Sequence, residues 1–431
     1  MAGLHRIAAL LLLAAPGCIA PAATWTHDAY VWQRQPSPAL DAAIHSSRDH
    51  INTCCFLASE ISWHGDAPRI SRPHLDHATL AALGKPIALA LRINPLPPKT
   101  KPADHASQIA SEAAAILSAA RAAGIVPVEL QIDYDCPGHK LARYRELLYS
   151  LRATVGQTPL TFTALPSWLK HEEDFTALAR EADGFVLQVH SLEKPASIDS
   201  AFTLCDPKLV LAWARRADAL AARAGPSGAR FRVALPTYGY TLGFDTGGRF
   251  IGLAAEAPRD WPAGTRLRAV RANPRELQCL ARELSAENLS HLDGIIWFRL
   301  PVAGDRLAWN AETFAAVIQD IPIVSQLSAE IHRTQPGLAE IVIVNRGQTA
   351  EPLPQTLRVI WTPGGRATAC DTLAGYYCYY DLPKDNVLFV YRHSPAPAEL
   401  APGRSRAIGW LRFDFPDEKI ASAFSIHATI P

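Results

Sequence analysis

The sequence predicts a (β/α)8 TIM barrel followed by a smaller all-β, sandwich-like C-terminal domain. Three observations carry that expectation. The chain has 431 residues, more than one ordinary core takes and enough for two domains. From about residue 24 to 320, short apolar runs alternate eight times with helix-like segments. From 321 to 431 the texture changes to short strands split by turn residues.

Residues 1–23 stand before the barrel. "MAGLHRIAALLLLAAPGCIAPAATW" starts with basic Arg6 and an apolar run, Ile7 to Ala15, too short to span a bilayer. It reads as an export signal, to be set aside from the fold. Two processing readings stand. Gly17 before Cys18 resembles a bacterial lipoprotein signal acylated at Cys18; Ala20 to Ala23 suits ordinary signal peptidase. Both send the protein out of the cytoplasm, to the periplasm or to an outer-membrane lipid anchor. Membrane contact is then expected only through Cys18.

The eight strand candidates follow in order. "AYVWQ" (29–33) is the first, "CCFLASEISW" (54–63) the second and "PIALALRI" (86–93) the third. A strong helix, "ADHASQIASEAAAILSAARAAG" (103–124), ends at Gly124. "PVELQIDYD" (127–135) precedes the helix "KLARYRELLYSLRATVG" (140–156). "PLTFTAL" (159–165), "GFVLQVHS" (184–191), "RFRVALPTYGY" (230–240) and "DGIIWFRLP" (293–301) complete the set. The strands are apolar on both faces, as in a parallel sheet covered by helices. A doubly wound open sheet is the runner-up, but no Gly-rich phosphate loop follows any strand. Residues 241–270 read as a β-hairpin insertion over the barrel mouth, with turns at Gly247-Gly248 and Pro262-Ala263-Gly264. Beyond 321, "AEIVIVNRG", "TLRVIW", "GYYCYYDL", "NVLFVYR" and "AIGWLRFDF" read as sandwich strands.

Composition excludes several function classes. Apolar residues make up 48% and charged residues 19%, as in a folded soluble protein. The net charge is +1 and there is no long basic run, which argues against nucleic acid or an anionic membrane surface as main partner. Beyond Cys18 the cysteines are Cys54, Cys55, Cys136, Cys205, Cys279, Cys370 and Cys378, an odd number that cannot all pair within one chain. Cys370 and Cys378 flank "DTLAGYY" and could close a hairpin-sized loop in an oxidising compartment. There is no C-x-x-C, no zinc pattern, no H-E-x-x-H and no G-x-S-x-G. Asp133, Asp135, His139 and His190 could in principle bind a divalent ion, but no metal or other cofactor is expected. The sequence specifies no oligomeric state.

Chemistry is expected at the C-terminal ends of the strands. Side chains alternate along a strand, so Gln131, Asp133 and Asp135 share one face. Two carboxylates that close cannot both ionise cheaply, so one holds a proton near neutral pH. A proton-holding acid beside an ionised carboxylate is what glycosidic cleavage needs. The structural alternative is that Asp135 caps a helix and Asp133 satisfies buried donors. Other strand ends add Trp32, Glu60, Arg92, Gln188, His190, Tyr238, Tyr240, Trp297 and Arg299, with Trp168 after the fifth strand. Aromatic faces edged by a few polar groups suit sugar rings.

These residues resemble the chitinase-like barrels of glycoside hydrolase family 18, whose fourth strand ends in D-x-x-D-x-D-x-E. "QIDYDCP" lies over that motif without a gap. The resemblance places Gln131 and Asp133 on family aspartates, Tyr134 on the aromatic, Asp135 on the catalytic glutamate and Pro137 on the proline. "LPTYGY" places Tyr238 at a substrate-contacting position, and "GIIWFRLP" places Trp297 at the floor of the sugar site. Asp135 is one methylene shorter than the family's acid, Gln131 replaces a carboxylate, and "ALALRINP" lacks the family's S-x-G-G. A closer resemblance is to the bacterial domain of unknown function 3142. It is carried by "LQIDYDCPGHKLARYRELL", "LTFTALPSWL", "GFVLQVHSLEKP", "RVALPTYGY" and "GIIWFRLPVAGDRLAWN". Together these imply a glycoside hydrolase-like envelope protein with Asp135 as acid and Asp133 assisting. Tyr238, Trp297, Gln188, His190, Gln131, Tyr134, Glu60, Arg92, Trp32 and Arg299 are the expected glycan contacts. The alternative is a non-catalytic glycan-binding or structural envelope lipoprotein on a degenerate barrel.

Overall fold

The structure is a computed structural model that describes residues 25–65, 67–96, 102–255, 259–381, 386–391, 399–416 and 418–430. The expected export signal and Cys18 lie outside the described residues. Eight parallel strands form the barrel: β1 (Thr26–Val31), β2 (Cys54–His64), β3 (Ile87–Ile93), β4 (Glu129–Tyr134), β5 (Leu160–Ala164), β6 (Gly184–Gln188), β7 (Arg230–Pro236) and β8 (Leu292–Phe298). Each pairs with its sequence neighbours, and β1 closes the ring by pairing with both β8 and β2. A short antiparallel strand, Ala67–Ser71, extends β2 at the mouth.

Eight helices follow the strands in turn: α1 (Pro38–Ser47), α2 (His77–Ala82), α3 (Pro102–Ala122), α4 (Leu141–Val155), α5 (Glu172–Arg180), α6 (Pro207–Ala221), α7 (Pro274–Ala286) and α8 (Ala311–Ile318). Local chemistry starts several of them. Ser37-Pro38, Asp206-Pro207 and Asn273-Pro274 each put a capping oxygen before a proline whose fixed φ suits the first turn. The large core lies between helices and strands and holds Phe162, Phe175, Phe185, Phe231 and Trp297. A smaller cluster fills the lumen, with Tyr30, Trp32, Cys55, Leu57, Val186, Ile296 and Phe298.

The lumen also holds charge. Arg232 donates to Asp28 at 2.7 Å and to both Glu129 oxygens at 2.6 and 2.8 Å. Asp28 and Glu129 are both buried. This ion cluster sits at the N-terminal end of β4, two residues below Gln131 and four below Asp133.

The insertion differs from the expected hairpin. It is a three-stranded antiparallel sheet with Gly239–Phe244 in the centre, flanked by Phe250–Ala254 and Arg266–Arg271. The run 230–240 is therefore two strands, broken at Thr237-Tyr238. Gly239 makes the join feasible, because a Cβ there would meet Val270 O at 2.3 Å. Tyr240 accordingly belongs to the insertion sheet rather than to β7.

Beyond the barrel, two four-stranded sheets form a sandwich. One has the order Leu327–Gln335, Leu338–Asn345, Ser405–Asp414, Arg366–Thr372. The other runs Tyr376–Asp381, Asn386–Tyr391, Thr356–Trp361, Ile426–Thr429. Thr356–Trp361 alternates buried and open positions, the signature of one face on a core. That core is separate from the barrel's and includes Ile341, Leu357, Val359, Phe389 and Leu411.

Replacing Arg232 by methionine leaves two buried carboxylates without a counter-charge. Urea unfolding of Arg232→Met is expected to show a loss of about 3–5 kcal/mol. A loss below about 1 kcal/mol would contradict this role for the cluster.

Candidate active site at the barrel mouth

The alternation along β4 decides which side chains reach the mouth. Glu129, Gln131 and Asp133 enter the lumen, and Asp135, the first residue past the strand, continues that face. Asp133 is buried, accepts a hydrogen bond from Thr163 Oγ1 at 2.8 Å and is ion-paired with Arg92 Nη1 at 3.2 Å. Arg92 also reaches toward Glu60, 3.9 Å away. Glu60 in turn accepts from Asn94 at 2.9 Å and Arg34 at 3.0 Å. Burial raises the Glu60 carboxyl, but these hydrogen bonds and the arginine charges outweigh it and hold its pKa below the ordinary value.

Asp135 is placed differently. Its edge is open to solvent, yet protein atoms of the concave mouth crowd its carboxylate. That partial desolvation, then the charge of Asp133, push its pKa up to about 6 against the opposing pull of Arg92. No hydrogen bond to its carboxyl occurs among the described residues, so the group faces the cavity with its donor and acceptor capacity open.

Two adjoining cavities form the mouth, of about 150 Å³ and about 260 Å³. They share Trp32, Arg92, Tyr238, Tyr240 and Phe298 as walls. The smaller adds Asp133, Asp135, Thr163, Gln188 and His190; the larger adds Arg34, Glu60 and Arg299. A larger cleft, about 1190 Å³, opens elsewhere, between the start of α7, the insertion and the C-terminal sandwich. It holds none of the residues expected to carry chemistry, so the mouth is the better candidate site despite its smaller volume.

One wall is a hydroxyl network. The Tyr238 hydroxyl lies 3.2 Å from His190 Nδ1 and 3.0 Å from the Tyr240 hydroxyl, and it makes a short contact with Ser191 Oγ. Tyr240 donates to Ser191 Oγ at 2.7 Å. Burial raises the Tyr238 hydroxyl pKa well above the ordinary value and lowers His190 to about 3, so both stay neutral. His190 Nε2 is buried without a hydrogen-bond partner among the described residues, and the ring stacks on Phe298 at 5.2 Å.

Three expected contacts are not at the mouth. Trp297 is fully buried on the helix side, stacked on His27 and edge-on to Phe314 of α8. Its neighbour Phe298 takes the inward place, because adjacent strand residues face opposite ways. Tyr134 faces outward for the same reason and meets Tyr144 of α4 edge-on at 5.2 Å. Gln131 does face inward but lies one layer down, fully buried, accepting from the Tyr30 hydroxyl at 2.6 Å. Trp168 is also core, its Nε1 donating to Cys136 O at 2.9 Å. His139 stands exposed on a short turn, and no cluster of metal-ligating side chains occurs among the described residues. Phe298, Thr163, Ser191, Asn94 and Arg34 were not expected. The even spacing Gly294, Ile296, Phe298 on β8 carries the signal for the first, and Thr161, Thr163 on β5 for the second.

A family model described as a domain of unknown function (DUF3142) matches residues 83–303, from just before β3 to just past β8. The chain belongs to the DUF3142 family. A second model, also a domain of unknown function (DUF8456), matches residues 328–414 of the sandwich. No curated protein matches the chain. Similar solved structures include the Bacillus megaterium spore cortex-lytic enzyme SleL. It is 12% identical, with 70% of this chain and 75% of that chain covered and a TM-score of 0.48. A chitinase from Bacteroides thetaiotaomicron is 12% identical over 69% of this chain and 97% of its own, with a TM-score of 0.47. A glycoside hydrolase family 18 N-acetylglucosaminidase from Paenibacillus barengoltzii is 11% identical over 69% and 100%, with a TM-score of 0.44.

The mouth of this DUF3142 barrel thus joins a carboxyl that holds a proton near pH 6 to an ion-paired carboxylate, inside aromatic walls. It can protonate a bound group and steady positive charge beside it. Burial keeps His190 out of the acid role. Imidazole ¹⁵N spectra are expected to show His190 neutral from pH 8 down to about 4. A titration midpoint near 6.5 would contradict that placement.

Proposed function

We propose that this chain is a glycoside hydrolase acting on a glycan, with Asp135 as its general acid. The observation that carries the reading is the raised Asp135 pKa of about 6 beside Asp133, at a cavity walled by Trp32, Tyr238, Tyr240 and Phe298. Aromatic walls take the C–H faces of a sugar ring, and Arg92, Glu60, Gln188 and Arg299 offer hydrogen bonds to its hydroxyls. Asp135 gives its proton to the leaving glycosidic oxygen as the C–O bond breaks. Asp133, held by Thr163 and Arg92, raises the affinity of Asp135 for that proton and offsets positive charge growing at the anomeric carbon. On an N-acetylated sugar the substrate's own carbonyl oxygen serves as nucleophile, and Tyr238 steadies it. The working site is the bacterial cell envelope, reached through the export signal, with Cys18 as lipid anchor or removed with the signal.

One observation favours the second reading, a glycan-binding protein without catalysis. The acid is an aspartate where the resembled barrels carry a glutamate, so its proton stands one methylene further back.

The test is release of reducing ends from a panel of bacterial glycans, including peptidoglycan and N-acetylglucosamine oligomers. Wild type is expected to release them, and Asp135→Asn to lose about 10²–10⁴-fold with its fold intact. Release that survives Asp135→Asn would overturn the acid assignment. Retained binding without release by the wild type would favour the second reading.

The pH profile gives a second prediction. An acid catalyst is active while protonated, so the rate falls as pH rises through about 6. Asp133→Asn removes the like charge that raises Asp135. The alkaline limb of the residual activity is then expected to move to lower pH. A limb that stays in place or moves up would contradict the coupling.

A further inference from the structure

We infer that Cys370 and Cys378 form a disulfide in the mature protein, a covalent pin between the two sheets of the C-terminal sandwich. Their Sγ atoms stand 3.0 Å apart, and the chain between them only turns a corner. Cys370 lies on Arg366–Thr372 and pairs across to Leu411 in the first sheet. Cys378 lies on Tyr376–Asp381 and pairs across to Phe389 in the second. The link between these strands, Leu373 to Gly375, turns through positive φ at Ala374 and Gly375. It is fixed by Leu373 N donating to Ile408 O and Tyr376 N donating to Leu373 O. The backbone therefore holds both thiols facing each other across the sandwich before any bond forms.

The other cysteines fall into no such arrangement. Cys54 and Cys55 are adjacent on β2 and point to opposite faces, one into the helix-side core and one into the lumen. Cys136 and Cys205 are buried at separate places in the barrel, and Cys279 is exposed on α7. No other pair of sulfurs is in contact among the described residues. Cys370 and Cys378 are also both half-buried, open enough for an oxidant to reach and packed against the sandwich core.

The step balances with a disulfide-bearing oxidant. One cysteine, as thiolate, attacks a sulfur of the oxidant and releases half of it as a thiol. The second cysteine attacks the mixed disulfide and releases the other half. The protein loses two hydrogens, and the oxidant gains them as two thiols. Such a bond persists in an oxidising compartment and not in a reducing cytoplasm. It ties strands that share no backbone ladder, so it should stabilise the sandwich beyond what its hydrogen bonds supply. This inference is independent of the glycan reading, since the pair lies outside the barrel.

The test uses the full chain. The reduced protein is incubated with oxidised glutathione, denatured in N-ethylmaleimide without reductant, digested and mapped by mass spectrometry. The expected result is a Cys370–Cys378 linkage, two equivalents of reduced glutathione released in forming it, and Cys18, Cys54, Cys55, Cys136, Cys205 and Cys279 in no disulfide within the protein. Full alkylation of Cys370 and Cys378, or linkage of either to another cysteine, would overturn the inference. A second readout is thermal. Oxidation is expected to raise the unfolding midpoint of the wild type by at least about 5 °C and to leave Cys378→Ser unmoved. An equal response in both would show that the stabilisation comes from elsewhere.

Discussion

Everything at the mouth depends on the two-residue period of β4 inside a closed barrel. Once β1 joins β8 and β2, each strand has one face toward the lumen and one toward the helices, with no third choice. On β4 the lumen face carries Glu129, Gln131 and Asp133, and Asp135 follows. Polar groups buried in succession must each find a partner. Arg232 answers Glu129, the Tyr30 hydroxyl answers the Gln131 amide oxygen while Gln131 Nε2 has no partner among the described residues, and Thr163 with Arg92 answers Asp133. Asp135 comes last and meets a carboxylate already satisfied. It is the group whose proton is held by crowding and by charge rather than removed by a partner.

The opposed effects at Asp135 decide the chemistry. Arg92 pulls its pKa down, but Arg92 is already engaged with Asp133 and stands near Glu60. Crowding and Asp133 win, and the result is about 6. The hydroxyl network of Tyr238, Tyr240 and Ser191 contributes no competing charge to this wall, and His190 stays neutral beside it. Among the described residues, Asp135 is thus placed to give a proton near neutral pH. The walls around it are aromatic and hydroxyl-bearing, with Arg92 between the two cavities and Arg34 and Arg299 lining the larger one.

Much of this was legible in the sequence, and the limits have physical causes. The eight strands and most helices follow from apolar runs punctuated by caps, because burial on both faces leaves no ambiguity about the layer. The shared face of Gln131, Asp133 and Asp135 follows from alternation alone. The resemblance assigns Trp297 and Tyr134 to the site, but strand alternation turns both toward the helices, and a motif match carries no information about which face a residue takes. The Asp28–Glu129–Arg232 cluster could not be read, because its partners are 103 and 204 residues apart and meet only when the barrel closes. The insertion's central strand was hidden inside an apolar run that looked continuous with β7.

The most direct test of the account is the carboxyl titration of Asp135 in the wild-type protein, followed by ¹³C chemical shift with Asp135→Asn for assignment. The account predicts a midpoint near 6, well above an ordinary aspartate. A midpoint in the ordinary range near 3.9 would mean that Asp135 is ionised throughout the physiological range. That result would remove the proton on which the proposed chemistry depends.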